Sequence, residues 1–140
     1  MTADIVQYIT ANIDTWISPN NGTNPAGNIF ESFQPSDPDR CVAVYELTGQ
    51  PLKRTFGGNF AWENPRLQIV SRASSEDGWG TAHADARAIW NLLRVVVNQP
   101  VNGVQYIIIE PSGSPQPQEL DPNGRPLYVT DFAVMKYLSD

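Results

Sequence analysis

Apolar residues at Ile5, Val6, Ile9, Ile13, Trp16 and Ile17 recur at spacings of one, three and four, the stripe of an amphipathic helix. The helix is predicted over about Ala3 to Ile17, with Thr2 as N-cap, Asp4 in a first turn that favours negative charge, and Ser18-Pro19 as the stop. From Arg40 to Leu47 the period drops to two: Cys41, Ala43, Tyr45 and Leu47 share one face, Val42, Val44 and Glu46 the other. That alternation predicts a strand, and a second follows over about Asn64 to Arg72. The longest helical stripe is Trp79, Ala82, Ala86, Ile89, Trp90, Leu93 and Val96. Ser74 and Asp77 open it with capping-box spacing, and Asn98 and Pro100 close it. Asn102-Gly103 then turns the chain into Val104 to Pro111, whose run Tyr106-Ile107-Ile108-Ile109 predicts a strand covered on both faces. A last strand is expected from about Pro126 to Leu138, after the turn Asp121-Pro122-Asn123-Gly124.

Three stretches break the periodicity. Asn20 to Asp39 is rich in Asn, Gly, Pro and Ser, yet holds Ile29, Phe30 and Phe33, which predicts an ordered excursion pinned by apolar anchors. Thr48 to Asn59 is long for a hairpin and carries Lys53, Arg54 and Phe56, the composition of a contact loop. Pro115, Pro117 and Pro122 keep a third loop extended. The order helix, strand, strand, helix, strand, strand predicts an α+β fold: a mostly antiparallel sheet of about four strands with two helices packed on one face. No internal repeat or boundary divides the chain, so residues 1–140 are expected to form a single domain.

Composition narrows the function. A 140-residue chain buries roughly 68% of its unfolded surface without help from disulfides. With 41% hydrophobic and 17% charged residues it is neither a mainly disordered chain nor a membrane-embedded one. A net charge of −6 repels a phosphate backbone, which argues against sequence-reading nucleic-acid binding. Cys41 is the single cysteine, so no internal disulfide can form, and the chain suits a reducing compartment.

Catalytic constellations are hard to assemble. His83 is the only histidine and lies on the long helix, where a surface or half-buried role is the plain expectation. Cys41 within an alternating strand reads as a small buried hydrophobe. A Cys41–His83 dyad has no evident orienting group or oxyanion donor. Glu76-Asp77 is explained by its place in a first helical turn, Gly57-Gly58 lacks the context of a phosphate loop, and Asp121-Pro122-Asn123-Gly124 lacks the further ligands of a calcium loop. No enzyme activity, metal or cofactor is therefore expected. What remains is surface: Lys53 and Arg54 with Phe56, Trp62 beside Glu63, and Arg125 at the end of the proline-rich loop are the candidate interface residues.

Ile29-Phe30-Glu31-Ser32-Phe33-Gln34-Pro35, then Pro38-Asp39-Arg40-Cys41-Val42-Ala43-Val44-Tyr45 and Gly49-Gln50-Pro51, follow one another in a telling order. With Glu63-Asn64-Pro65-Arg66-Leu67-Gln68-Ile69, the helix through Gly78, Ala82 and Ala86, and Asn123-Gly124-Arg125-Pro126-Leu127-Tyr128 before Asp131-Phe132, they resemble the phage minor capsid, or tail completion and tail terminator, family. The resemblance spans nearly the whole chain. It implies a tail-terminator-like fold and a structural virion protein at the tail-neck junction, made in the host cytoplasm during assembly. It also implies a ring, usually a hexamer, that caps the tail tube, stops its polymerisation and offers a surface for head joining. The implied partners are other copies of the chain, the tail-tube protein and a head-side connector or stopper protein, with no membrane. The resemblance further implies that DNA passes through the lumen without sequence-specific binding, and six copies each of charge −6 are consistent with such passage. The Asn20-Asn21-Gly22-Thr23-Asn24 insertion and the long proline-rich loop depart from the family pattern. Another neck or connector subunit is the nearest alternative. A small-ligand binding domain or minor enzyme, using a pocket between the long helix and the sheet, is the alternative from a different class.

Overall fold

The computed structural model describes residues 1–17, 27–54 and 61–137, and the side chains of all of these except 52–54. In chain order the elements are α1 (Thr2–Asn12), β1 (Ile29–Glu31), β2 (Cys41–Arg54), β3 (Ala61–Arg72), α2 (Gly78–Leu93), β4 (Val97–Val101), β5 (Val104–Pro111), β6 (Gln116–Pro117) and β7 (Leu127–Tyr137). All strands join one sheet in the order β1-β2-β3-β7-β5-β4, with β6 pairing β7 off that path. β1 runs parallel to β2 and the other pairs are antiparallel, so the sheet is mixed, and it curls into a half-barrel.

This corrects the expected antiparallel sheet of about four strands. β1 is three residues long, too short to show a period, and its Ile29 and Phe30 are core strand residues, while Phe33 stays 55% exposed instead of anchoring the excursion. β4 reads as a helix terminator because it contains Asn98 and Pro100. Asn98 takes a left-handed φ of 46°, and Pro100 is accommodated because β4 is the sheet's edge. Asn102-Gly103, with φ of 51° and 80°, joins β4 to β5 as a two-residue hairpin. The expected contact loop at 48–59 is strand as far as Arg54, because two register shifts let β2 absorb Gly49 and Pro51 and keep pairing with β3; residues 55–60 lie outside the described ones.

The helices also differ in detail. α1 stops at Asn12, short of Ile17, and Ile13 is extended at φ −131° and ψ 108°. Beyond it Asn28 serves the backbone: its Nδ2 donates to the Thr15 carbonyl at 2.8 Å and its Oδ1 accepts the Ile17 N–H at 2.6 Å. Met1, not Thr2, takes the cap position, and the Thr2 hydroxyl donates to Glu31 Oε1 at 2.9 Å. At the start of α2 the Asp77 N–H donates to Ser74 Oγ at 3.0 Å, one half of the predicted capping box.

The core lies between the helices and one face of the sheet. Ile5, Val6 and Ile9 of α1 and Ile89 and Leu93 of α2 cluster with Val42, Val44, Leu67, Ile69, Phe132 and Val134, all buried. Tyr106 and Ile109 join that cluster although three residues apart, because a bulge between Tyr106 and Ile108 shifts the register of β5 against β7. Ile107 and Ile108 are only half-buried, so β5 is not covered on both faces as its apolar run suggests.

Candidate functional site

The far end of the β2–β3 hairpin gathers four of the six candidate residues. Lys53 pairs in register with Trp62, and Arg54 with Ala61. Trp62 is half-buried and sits opposite Tyr137 on its other side. Glu63 accepts an ion pair from Lys136 at 3.3 Å, and Lys136 is buried to 4% exposure. Behind them the Tyr106 hydroxyl donates to Asp4 Oδ2 at 3.1 Å, and Asn102 Nδ2 donates to Asp4 Oδ1 at 3.1 Å. Burial first, and then the Asp4 carboxylate, push the Tyr106 phenol well above its ordinary range. Phe56 lies outside the described residues.

Two clefts flank the register shifts of this hairpin. One of about 400 Å³ is lined by 46–50 and 63–65, and another of about 420 Å³ by 48–50, 64–66 and 133–135. Between them Gly49 passes so close to the Asn64 carbonyl that a Cβ would overlap it, which requires glycine there. The Asn64 Nδ2 is buried with no hydrogen-bond partner among the described residues. Neither cleft is lined by α2, so neither is the expected pocket between the long helix and the sheet.

Arg125 lies apart from the hairpin end. It is 7% exposed: Nε donates to Asp121 Oδ2 at 2.7 Å, and Nη1 to the Ser36 carbonyl at 2.6 Å and to Asp39 Oδ1 at 3.1 Å. Burial opposes both charges, yet hydrogen bonding outweighs it. The Arg125 and Asn123 N–H groups and the Arg125 guanidinium hold the Asp121 carboxyl below its ordinary range, and Asp121 and Asp39 hold Arg125 above its own. Arg72 serves the same loop, donating from Nε to the Asp39 carbonyl at 2.9 Å and from Nη2 to the carbonyls of Pro35 at 2.7 Å and Pro38 at 2.8 Å. A third arginine closes the loop: Arg40 donates to Asp85 of α2 through Nε at 2.8 Å and Nη2 at 2.7 Å.

Sequence reasoning missed Arg72, Arg40 and Asp85. The alternation that predicts a strand through Arg72 does not say that a loop folds over it, and no local spacing links Asp85 of the long helix to Arg40. α2 carries a further cluster: the Arg87 guanidinium lies 4.4 Å and that of Arg94 5.0 Å from the Trp90 ring. Trp90 Nε1 donates to the Gly113 carbonyl at 2.9 Å, which fixes the ring between them.

Cys41 is fully buried beside Gln34, whose Nε2 lies 3.8 Å from Sγ, and burial pushes the thiol up. His83 is exposed and packs its ring 5.2 Å from that of Tyr128. No described contact joins Cys41 to His83, and among the described residues no three His, Cys, Asp or Glu side chains group to hold a metal. Among the same residues no helix is long and apolar enough to cross a membrane.

Comparison with known proteins adds to this geometry. The model of a family described as bacteriophage tail terminator protein matches residues 17–138. No curated protein matches the chain. Among solved structures, a chain from the virion of a native gene transfer agent particle superposes with a TM-score of 0.66 at 11% identity, covering 99% of this chain and 95% of that one. A second solved chain, 14% identical, superposes with a TM-score of 0.53 over 96% of each. At these identities the likeness is one of fold.

Proposed function

The chain belongs to the bacteriophage tail terminator family, and we propose on that footing that copies of it close into a ring, a hexamer, at the head-proximal end of the tail. It is a structural protein of the phage tail. The ring caps the last layer of tail-tube protein, stops further addition, and presents a new surface to a head-side connector. Residues 1–140 act as one tail-terminator-like domain, without catalysis. The observation that carries this reading is the family match over residues 17–138.

Physical features agree with it. A closed ring needs a heterologous contact between two different patches of each subunit. The hairpin end, with Lys53, Arg54, Trp62 and Glu63, is our candidate for contact with a neighbouring copy or with the tube, and Phe56 follows it in the same connection. The acidic balance of −6 per copy suits a lumen that DNA crosses without sticking.

Electron microscopy of particles disrupted in this gene tests the reading, scoring tail length and head attachment together. Overlong tails without heads are expected. Tails of normal length without heads point to a connector subunit instead, and intact infectious particles overturn a virion role. Charge reversal at Lys53 and Arg54 is expected to weaken tail joining while the isolated protein stays folded, and unchanged joining removes the hairpin end from the contact.

A further inference from the structure

The sheet ends in two edges of opposite character. At one edge stands β1, with Glu31 exposed, Phe33 55% exposed just beyond it, and Asp37 exposed on the loop that follows. Neither acid forms an ion pair among the described residues. The loop bearing Phe33 and Asp37 is held by Arg72 and Arg125 through the carbonyls of Pro35, Ser36 and Pro38, so its groups are presented with little freedom left to lose.

The other edge is β4. α2 crosses the sheet from Asp85, which meets Arg40 next to β2, to its C-terminal end, which runs straight into β4. Arg87 from the middle of α2 and Arg94 from just past its last residue lie against Trp90, and Val95 at 57% and Val97 at 59% exposure follow. Both arginines are exposed and lack an ion-pair partner among the described residues, in a chain whose net charge is −6. The Trp90 ring holds both guanidinium groups, and the hydrogen bond from its indole to Gly113 fixes the ring. Simple strand addition along β4 is disfavoured, since Pro100 lacks an N–H and Asn98 breaks the extended backbone. The contact offered at this edge is therefore made by side chains.

We infer that the β4 edge of one copy, through Arg87, Trp90, Arg94 and the exposed valines, docks onto the β1 edge of the next copy, through Glu31, Phe33 and Asp37. The occupant of each surface is a second copy of this chain, and the argument is charge complementarity between apolar-centred patches at opposite edges of one sheet. Two different patches are what a head-to-tail ring requires, since an isologous pair would need one self-complementary patch. The inference rests on the ring reading and specifies which surfaces form it.

The test supplies variants to particles disrupted in this gene and scores the ring at the tail end by electron microscopy. Wild type is expected to restore a ring; if no ring forms with wild type, the ring reading itself fails. Given that ring, Arg87→Glu/Arg94→Glu and Glu31→Lys/Asp37→Lys are each expected to reduce ringed tails at least tenfold, and the quadruple variant to recover most of them. Rings undisturbed by either pair, loss in one pair only, or a quadruple variant no better than the doubles overturn the docking while leaving the ring reading intact. Thermal melting of each purified variant checks folding. Should a reversal melt early, Arg87→Gln/Arg94→Gln takes its place, with ring loss expected and an unchanged ring count overturning the docking.

Discussion

Arg40 and Asp85, 45 residues apart in sequence, face each other through two parallel hydrogen bonds of 2.8 and 2.7 Å that tie the start of β2 to the middle of α2. The carboxylate is buried at 9% side-chain exposure, whereas the guanidinium keeps 43% and lies 5.7 Å from the Trp16 ring. The hydrogen bonds to Asp85 raise the Arg40 pKa, so the guanidinium stays charged at any ordinary pH.

Removing one partner from this pair is costly because the other is left in poor solvent. Arg40→Ala is expected to destabilise the protein by about 2 kcal/mol, between the values for exposed and for fully buried pairs. Replacing both residues by apolar ones, as in Arg40→Met/Asp85→Leu, is expected to cost less than the single change. Urea midpoints at constant slope measure both, and a single-mutant loss under about 0.5 kcal/mol would reduce the pair to an ordinary surface contact.

The parts of the fold that could be read in the sequence are those with room for a period. α2 and the cores of β2, β3 and β7 each repeat their pattern several times, and the structure places them close to where the pattern does. β1, β4 and β6 have three, five and two residues, too few to repeat. Their existence depends on a neighbour offering a free edge. β4 was still accessible in principle, because Asn102-Gly103 is a strong hairpin signal that demands a strand on both sides. Pro100 obscured it, and only the edge position of β4 makes that proline acceptable. Of the candidate residues, Lys53, Arg54, Trp62 and Glu63 do come together, because pairing in register follows from one hairpin. The loop clamp was not legible, since Arg72 and Arg125 meet the carbonyls of residues 35–39 across separations that no local spacing encodes.

Among the glycines whose surroundings are described, Gly49 alone has no room for a Cβ. Gly49→Ala places a Cβ onto the Asn64 carbonyl, which cannot move aside as a flexible side chain would. Strain of at least about 2 kcal/mol is expected, with loss of the register between Gln50 and Asn64. Calorimetry would show the lowered melting temperature, and amide exchange would show faster opening confined to the β2–β3 hairpin. Gly113, whose added Cβ meets nothing within 4 Å, serves as the control and is expected to accept alanine with little change.

Arg125 and Asp121 give the protein an acid-sensitive lock on the 35–39 loop. Because the folded state holds the Asp121 pKa below its ordinary value, the pair's contribution is complete above about pH 4 and is lost as pH falls through the lowered value. Arg125→Met takes the buried guanidinium from the Ser36 carbonyl and from Asp121, which keeps the two backbone N–H bonds it accepts, and is expected to cost about 2 kcal/mol at neutral pH. The variant should also lose less further stability between pH 4 and 2 than wild type does. Limited proteolysis is expected to cut it within residues 35–39, and resistance equal to wild type would show that Arg72 alone suffices to hold the loop.

Tyr106 makes the opposite prediction at alkaline pH. Its phenol is kept protonated in the folded protein by burial and by the bond to Asp4, whereas an unfolded tyrosine ionises near about pH 10. Above that pH the unfolded chain releases a proton that the folded one retains, so stability falls as pH rises. Cys41 adds to the fall with an earlier onset, because burial raises its thiol pKa in the same way. Tyr106→Phe loses the hydrogen bond to Asp4 and is expected to cost about 1 kcal/mol at pH 7. The variant should then narrow the gap to wild type as pH rises from 9 to 11, since it no longer carries the retained proton. Urea unfolding of both proteins across that range decides it: a gap that stays constant would mean that the Tyr106 phenol ionises as easily folded as unfolded, and that the Asp4 contact confers no pH dependence.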